Sequence, residues 1–165
     1  MKEIGGLSDA LKHWRSKKGG TVRANATLIK EIKGGLSDAF KDLQNIIKNK
    51  MKDAAKNGTN HINSAPGSRR AGWCLTLGSF SANLEYDYSF NPNDKNKGYD
   101  IPIHFWGYDT WDFEFKKSQW YDLPTHLHNF FEELIPGYVA GEGKPFDVTY
   151  DFYHTLHVQE GCIIF

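Results

Sequence analysis

The sequence predicts an α+β fold, in which helices cover one face of a twisted antiparallel β-sheet. Three segments in the second half alternate apolar and polar residues with the period of a strand: 73–90, 99–115 and 146–158. Residues 124–135 instead repeat apolar side chains at helical spacing, which predicts a helix that covers the sheet. The basic first half adds two amphipathic patterns, near 7–16 and 37–56, so we expect helices there as well.

The composition changes abruptly near residue 70. Residues 1–70 carry 15 Lys and Arg against 6 Asp and Glu, whereas residues 71–165 carry 5 against 14. Only two aromatic residues, Trp14 and Phe40, precede residue 71. The stretch 57–72 is rich in Gly, Asn and Ser, as a connecting segment should be. We therefore expect a basic helical segment with a linker over 1–70, and a domain of sheet and helix over 71–165.

The strand at 146–158 has the strictest alternation. Its even positions are mostly apolar, from Phe146 to Val158, and its odd positions are mostly polar. Successive side chains of a strand point to opposite faces, so His154 should face the apolar side and His157 the polar side. Two histidines on opposite faces cannot share a metal ion. The polar face of this strand also presents Asp147 and Asp151.

The segment 73–90 alternates in two phases, which change at Gly78–Ser79. A β-bulge at that point would keep both halves on the same core, and we expect one there. The polar face of this strand then presents Glu85 and Asp87. The return strand at 99–115 has polar residues at several even positions: Asp100, His104, Tyr108, Asp112 and Glu114.

The longer basic helix has an apolar stripe that contains Phe40 and Ile47, while Lys41, Lys48 and Lys52 lie elsewhere on its surface. Lysine-rich amphipathic helices dock onto their own domain, lie on anionic membranes or bind nucleic acid. The acidic second half of the chain favours docking, and nucleic acid is the least favoured partner. If the helix acts outside its own fold, these five residues are the ones we expect to contact a membrane or a partner.

The polar face of the sheet is the strongest candidate for chemistry. If the strands are neighbours, their carboxylates crowd together, which raises some pKa values and favours a cation. A divalent metal ion or a carboxylate–histidine acid/base pair would suit such a face, whereas a solvated face without chemistry is the simpler alternative. No motif requires a cofactor, and no spacing identifies metal ligands. The candidate catalytic residues are Glu85, Asp87, Asp147, Asp151 and His157.

Two further groups of side chains carry weaker signals. His128 and Glu132 have the spacing of a surface ion pair on a helix. Trp106, Tyr108 and Trp120 could stack on a sugar or a base, although packing in the core is the simpler role for most aromatic residues here.

Cysteine usage and the chain ends narrow the class of protein. Cys74 and Cys162 are either free thiols or one disulfide bond, which needs closely defined geometry. No apolar run has the length of a membrane-spanning helix, and the first residues lack the apolar region of a secretory signal. If the protein leaves its cell, we expect another route of export.

Three motifs resemble the toxin-like domains at the C-terminal ends of Hcp- and PAAR-type proteins of type VI secretion systems. The motifs are W-x-L-x-L-G-x-F at 73–80, Y-D-x-W-D-F at 108–113 and K-P-F-D at 144–147. The resemblance covers residues from about 70 to 160 and leaves out the basic segment. It implies an antibacterial effector, a secretion-apparatus carrier protein and a cognate immunity protein.

The sequence supports three hypotheses about function. The first is an antibacterial toxin domain, delivered into a target bacterium without a signal peptide, that acts at the envelope through its basic amphipathic helix. The second is a hydrolase toxin that uses Asp151, His157 and the neighbouring carboxylates. The third is a non-catalytic binding or immunity-type protein, whose acidic face meets a basic partner.

Overall fold

The computed structural model of the protein describes residues 1–92, 98–112 and 143–158. The expected α+β class with a twisted antiparallel sheet is confirmed, because three helices accompany a six-stranded, mostly antiparallel sheet. The predicted helix at 124–135 lies outside the described residues. In chain order the elements are β1 (Glu3–Ile4), α1 (Leu7–Arg15), β2 (Thr21–Ala24), α2 (Ala26–Gly35), α3 (Ser37–Lys56), β3 (His61–Asn63), β4 (Arg69–Cys74), β5 (Gly78–Glu85), β6 (Asp87–Ser89), β7 (Tyr99–Trp111) and β8 (Phe146–Val158).

The main sheet has the strand order β1-β2-β8-β7-β5-β4, and β3 pairs with β6 in a second, small sheet. The long strands β7 and β8 run antiparallel and pair along 13 residues, from Tyr99 opposite Val158 to Trp111 opposite Phe146. β5 pairs with β7 only near His104 to Trp106, so Pro102 lies where β5 has already ended. Proline lacks the N–H that a second neighbouring strand would need, which explains its tolerance at this position.

The predicted strand at 146–158 is confirmed as β8. Its even-numbered side chains are buried or half-buried, and its odd-numbered ones are mostly exposed. As expected, His154 lies on the covered side, where it stacks on Phe40, and His157 lies on the exposed side. The strict alternation was decisive because a strand of this length can bury one whole face only in one register.

The predicted bulge at Gly78–Ser79 is wrong, because the chain reverses there. β4 and β5 form an antiparallel hairpin through the turn at 75–77, and Gly78 takes a φ of +68°, which favours glycine. Trp73, expected in the core, is 61% exposed. A turn and a bulge both shift the phase of an alternation, so the phase alone could not distinguish them.

The predicted strand at 73–90 therefore comprises β4, β5 and β6, with a break at Tyr86 before β6 pairs with β3. The predicted return strand ends earlier than expected, since β7 stops at Trp111 and Asp112 is outside it. Residues 113–115 lie outside the described part of the chain.

The helices predicted near 7–16 and 37–56 are confirmed as α1 and α3. The strands β1 and β2 and the helix α2 were not predicted. Asn25 caps α2, because its Oδ1 accepts hydrogen bonds from the N–H groups of Thr27 and Leu28. β2 pairs in parallel with β8, from Thr21 opposite Asp147 onward, so the basic first region contributes strands to the same sheet as the acidic second region.

The core lies between the three helices and one face of the sheet. Leu28, Ile32, Leu43, Ile47 and Met51 bury the inner sides of α2 and α3 in it. The main-sheet strands contribute the other half of the same cluster, including Phe105 and Val148, and the change of composition near residue 70 thus falls inside one continuous core.

Two glycines let α2 approach the sheet closely. A methyl group on Gly35 would overlap the backbone carbonyl of Trp73, and one on Gly72 would meet the ring of Phe80. The absence of side chains at both positions brings the end of α2 against β4, which packs the helices onto this face of the sheet.

Candidate functional site

None of the three described helices covers one face of the sheet, which we call the open face. It bears the odd-numbered side chains of β5 and β8 and the even-numbered side chains of β7. The three described helices contact the opposite face, through pairs such as Phe40 with His154 and His13 with Phe146. Aromatic rings on the open face are well exposed, with Tyr108 at 69% and Tyr153 at 65%.

The predicted catalytic residues share this side of the molecule but do not form one site. Along a strand with a rise of about 3.3 Å per residue, Asp147 lies roughly 13 Å from Asp151 and Asp151 roughly 20 Å from His157. Asp151 and Glu85 share one partner, His104, and the other three have separate ones: Asp147 accepts from Thr110, Asp87 binds His61, and His157 binds Asp100. Of the five candidates, the structure thus brings together only Glu85 and Asp151, and the catalytic role of the set stays a prediction.

These two carboxylates hold one imidazole between them. The Nδ1 of His104 lies 3.0 Å from the Oε1 of Glu85, and its Nε2 lies 2.9 Å from the Oδ1 of Asp151. The ring is stacked between Trp106 and Tyr153, with centroid distances of 4.8 Å to each. We call these five residues the His104 cluster, which links β5, β7 and β8 side by side.

The cluster favours the charged form of its histidine. The hydrogen bond to Glu85 raises the pKa of His104, burial opposes this shift, and Asp151 adds to it. When both ring nitrogens donate to carboxylates, the imidazolium has no lone pair with which to accept a proton. His104 in this arrangement is a cross-strand link with two partners, and the three charges leave the cluster with one excess negative charge.

The sequence did not single out His104 as a site residue. Its position on the polar side of β7 was expected, but its partners depend on the register that sets Glu85 and Tyr153 opposite it. The alternation of apolar and polar residues predicts on which face of the sheet a side chain lies, but it does not predict which residues of the neighbouring strands lie beside it. For the same reason, the sequence did not predict that Asp100 is the partner of His157.

A groove of about 460 Å³ runs beside the His104 cluster, between the open face and the small sheet. Its lining includes Glu85, His104 and Tyr153 from the cluster, and Asn63 and Asp87 from β3 and β6. No Lys or Arg is among the residues that line it. The groove therefore presents carboxylates and an aromatic ring to whatever enters it.

On the covered face, the thiol of Cys74, the carboxyl of Asp109 and the hydroxyl of Tyr150 interact electrostatically. Burial raises the pKa of the Cys74 thiol, which keeps it protonated and a poor nucleophile. Burial likewise raises the pKa of Asp109 and of Tyr150, whose hydroxyl donates to the carbonyl of Ser81. Cys162, the other half of a conceivable disulfide, lies outside the described residues, as do Trp120, His128 and Glu132.

The residues expected to contact a membrane are mostly used inside the fold. Ile47 is fully buried, and Phe40 stacks on His154 with ring centroids 3.8 Å apart. In this fold the sheet covers the apolar stripe of α3, so these two side chains pack inside the protein, and their contact with a membrane or a partner stays a prediction. Docking onto its own domain, the favoured alternative, is what the helix does. Lys41 is exposed, and Lys48 and Lys52 are half-buried.

None of the helices in 1–92, 98–112 and 143–158 is both long and apolar enough to cross a membrane. Across the same ranges, no three or more His, Cys, Asp and Glu side chains are arranged to hold a metal ion, although the sequence had suggested a divalent cation on the acidic face. Comparison of the chain with protein-family models, with curated proteins and with solved structures gives no match.

Proposed function

We propose that this chain is a non-catalytic binding domain that uses its open face to bind a basic protein partner. The observation that carries the proposal is the combination of charge and aromatic exposure on that face. The flanking strands β2 and β4 place Arg23 and Arg69 on this face, but the strands β5, β6, β7 and β8 contain no Lys or Arg. These four strands present five carboxylates near exposed tyrosines: Glu85, Asp87, Asp100, Asp147 and Asp151. A cationic surface is the complement of such a face.

The hydrogen-bond partners of the polar side chains on the open face support a binding role. The predicted catalytic set is split among separate partners, and the one histidine with two carboxylates has both ring nitrogens engaged. Exposed Tyr and Trp rings next to charged groups are typical of protein-binding surfaces, since they add contact area at little cost in conformational entropy. The surface has the composition of an interface, and its histidines stand in separate groups: His104 with Glu85 and Asp151, His157 with Asp100, and His61 with Asp87.

The resemblance to type VI effector domains supplies a setting for this binding. In that setting, the partner is the other member of an effector–immunity pair, and the domain reaches its site of action with a secretion carrier. The composition of the open face, and not this resemblance, leads us to favour the third of the three hypotheses, the binding or immunity-type protein. The membrane-active version loses its support, because the stripe that would enter the membrane is buried.

The binding function can be tested with peptides of opposite charge. We expect the full chain to bind a ten-residue lysine peptide, measured by fluorescence anisotropy, and not to bind a ten-residue glutamate peptide. The affinity should fall as salt is raised, because exposed charges are screened. Asp100→Lys together with Asp151→Lys should weaken binding, whereas Asp38→Lys with Asp42→Lys, two exposed positions on α3, should not. Equal binding of both peptides, or equal loss in both double variants, would contradict the proposal.

A hydrolase toxin is the second candidate, and one observation favours it. Two of the four predicted catalytic carboxylates, Glu85 and Asp151, do meet at an imidazole beside a groove. If a substrate displaced one carboxylate, His104 could exchange a proton. Inducible expression in the cytoplasm and in the periplasm of a bacterium separates the two candidates. A binding protein is harmless in both compartments, whereas a hydrolase kills in one of them and loses its toxicity in His104→Gln.

A further inference from the structure

We propose that the groove beside the His104 cluster receives an arginine side chain of the basic partner, and that it selects arginine over lysine. This inference rests on the proposed function and names the chemistry of the partner's anchor. The groove separates the open face from β3 and β6, so a side chain that enters it contacts both sheets. Its volume of about 460 Å³ lies in the range of about 300–1,000 Å³ that is usual for ligand pockets.

An aromatic wall is the first reason for arginine. One face of the Tyr153 ring lies on His104, at 18° and 4.8 Å between centroids, yet 65% of the residue is exposed. The ring thus has an open surface that a flat cation can stack on. A guanidinium is planar and weakly hydrated, so it stacks on aromatic rings better than an ammonium does.

Carboxylates at the base and rim of the groove are the second reason. Glu85 is bound to His104 through Oε1 and remains 63% exposed, and Asp87 is bound to His61 and remains 78% exposed. A carboxylate has about four acceptor positions, so each can accept further N–H groups. Arginine presents several donors in one plane and binds a carboxylate in a bidentate manner, which lysine cannot do.

The charge of the groove supports a cation although His104 lies in it. The imidazolium is held by Glu85 and Asp151, and Asp87 adds a further negative charge at the rim. The described residues that line the groove include no Lys or Arg, and the ammonium of Lys50, the nearby cation, is held 2.8 Å from the carbonyl oxygen of Asn63. The three carboxylates Glu85, Asp87 and Asp151 thus outnumber the two cations, Lys50 and a protonated His104, by one charge.

The test uses the full chain and two peptides that differ only in their basic residue, one with three arginines and one with three lysines, in a Gly-Ser background. We expect the arginine peptide to bind roughly two- to fivefold more tightly, the range that an exposed cation–π contact gives. Tyr153→Ala and Glu85→Gln should reduce this preference to parity, and Tyr153→Phe should keep it because the ring remains. Tyr108→Ala is the matched control, since Tyr108 is equally exposed but lies outside the groove.

The outcomes separate this inference from the function on which it rests. Equal binding of both peptides overturns the arginine groove and leaves the basic partner intact. Binding of neither peptide contradicts both proposals. A preference for arginine that survives Tyr153→Ala but disappears in Tyr108→Ala places the contact elsewhere on the open face and overturns the assignment of the groove. Binding of a neutral disaccharide without either peptide would assign the aromatic face to sugars.

Discussion

Two histidines on the paired strands β7 and β8 show how differently the two faces of one sheet treat the same side chain. His104 lies opposite Tyr153, and its neighbour in the ladder, Ile103, lies opposite His154. Both imidazoles stack on aromatic rings, His104 on the open face and His154 beneath α3. Yet Glu85 raises the pKa of His104, whereas burial, with a contribution from Lys33, lowers the pKa of His154.

The difference shows that the helices, and not the strands, divide the sheet into a core and a surface. Where α3 covers the strands, the neutral histidine is favoured because a buried charge lacks solvation. Where no described helix covers them, carboxylates can gather and hold the charged form. The aromatic residues divide in the same way, since Phe105 is fully buried while Tyr108 is mostly exposed. None of the described helices covers the open face.

The largest expected effect tests whether α3 belongs to the covered face. Ile47→Ala removes a fully buried side chain and should lower the free energy of unfolding by about 2–5 kcal/mol. Ile46→Ala changes the neighbouring isoleucine, which is 37% exposed, and should cost less than about 1 kcal/mol. Urea unfolding followed by circular dichroism measures both. Similar losses for the two variants would show that the stripe of α3 is not docked as described.

A second pair of variants tests the close approach of α2 to the sheet. Gly35→Ala places a methyl group on the carbonyl of Trp73 and should destabilise the fold by about 1–3 kcal/mol. Gly34→Ala has open space around it and should instead stabilise the helix by up to about 1 kcal/mol. Thermal unfolding should thus shift in opposite directions. If both substitutions stabilise the protein, α2 does not lie against β4 as closely as we describe.

The smallest expected effect is the pH dependence of the two histidines. The raised pKa of His104 means that its contribution to stability is complete below its ordinary value of 6.5 and is lost as pH rises through its folded pKa. The lowered pKa of His154 means that its contribution is complete above 6.5 and is lost as pH falls through its folded pKa. Each effect should stay within about 1 kcal/mol.

Imidazole resonances followed by NMR from pH 5 to pH 8.5 measure this directly. We expect His154 to titrate below 6.5 and His104 above it, and Glu85→Gln should bring His104 closer to the ordinary value while leaving His154 unchanged. If His104 and His154 both titrate near 6.5, the two faces of the sheet do not shift the pKa of histidine in opposite directions, and the prediction is wrong.

The sequence allowed some elements to be predicted because their signal is local. The alternation of 146–158 and the stripe of 37–56 each fill a whole element, so the buried side of both was predictable from residue spacing alone. β2 has four residues and α2 contains two adjacent glycines, so neither has enough pattern to stand out from a loop. β2 and α2 form because they pack against β8 and β4, respectively.

The sequence by itself determined the α+β class, the face on which each side chain of β8 lies, and the acidic character of β5 to β8. Only the tertiary structure decided that Glu85 and Asp151 meet at His104, that Asp147 and His157 stand apart from them, and that the chain reverses before Gly78. The physical reason is that periodicity is a property of one strand, whereas the partners of a side chain depend on the register between strands and on which helix covers them.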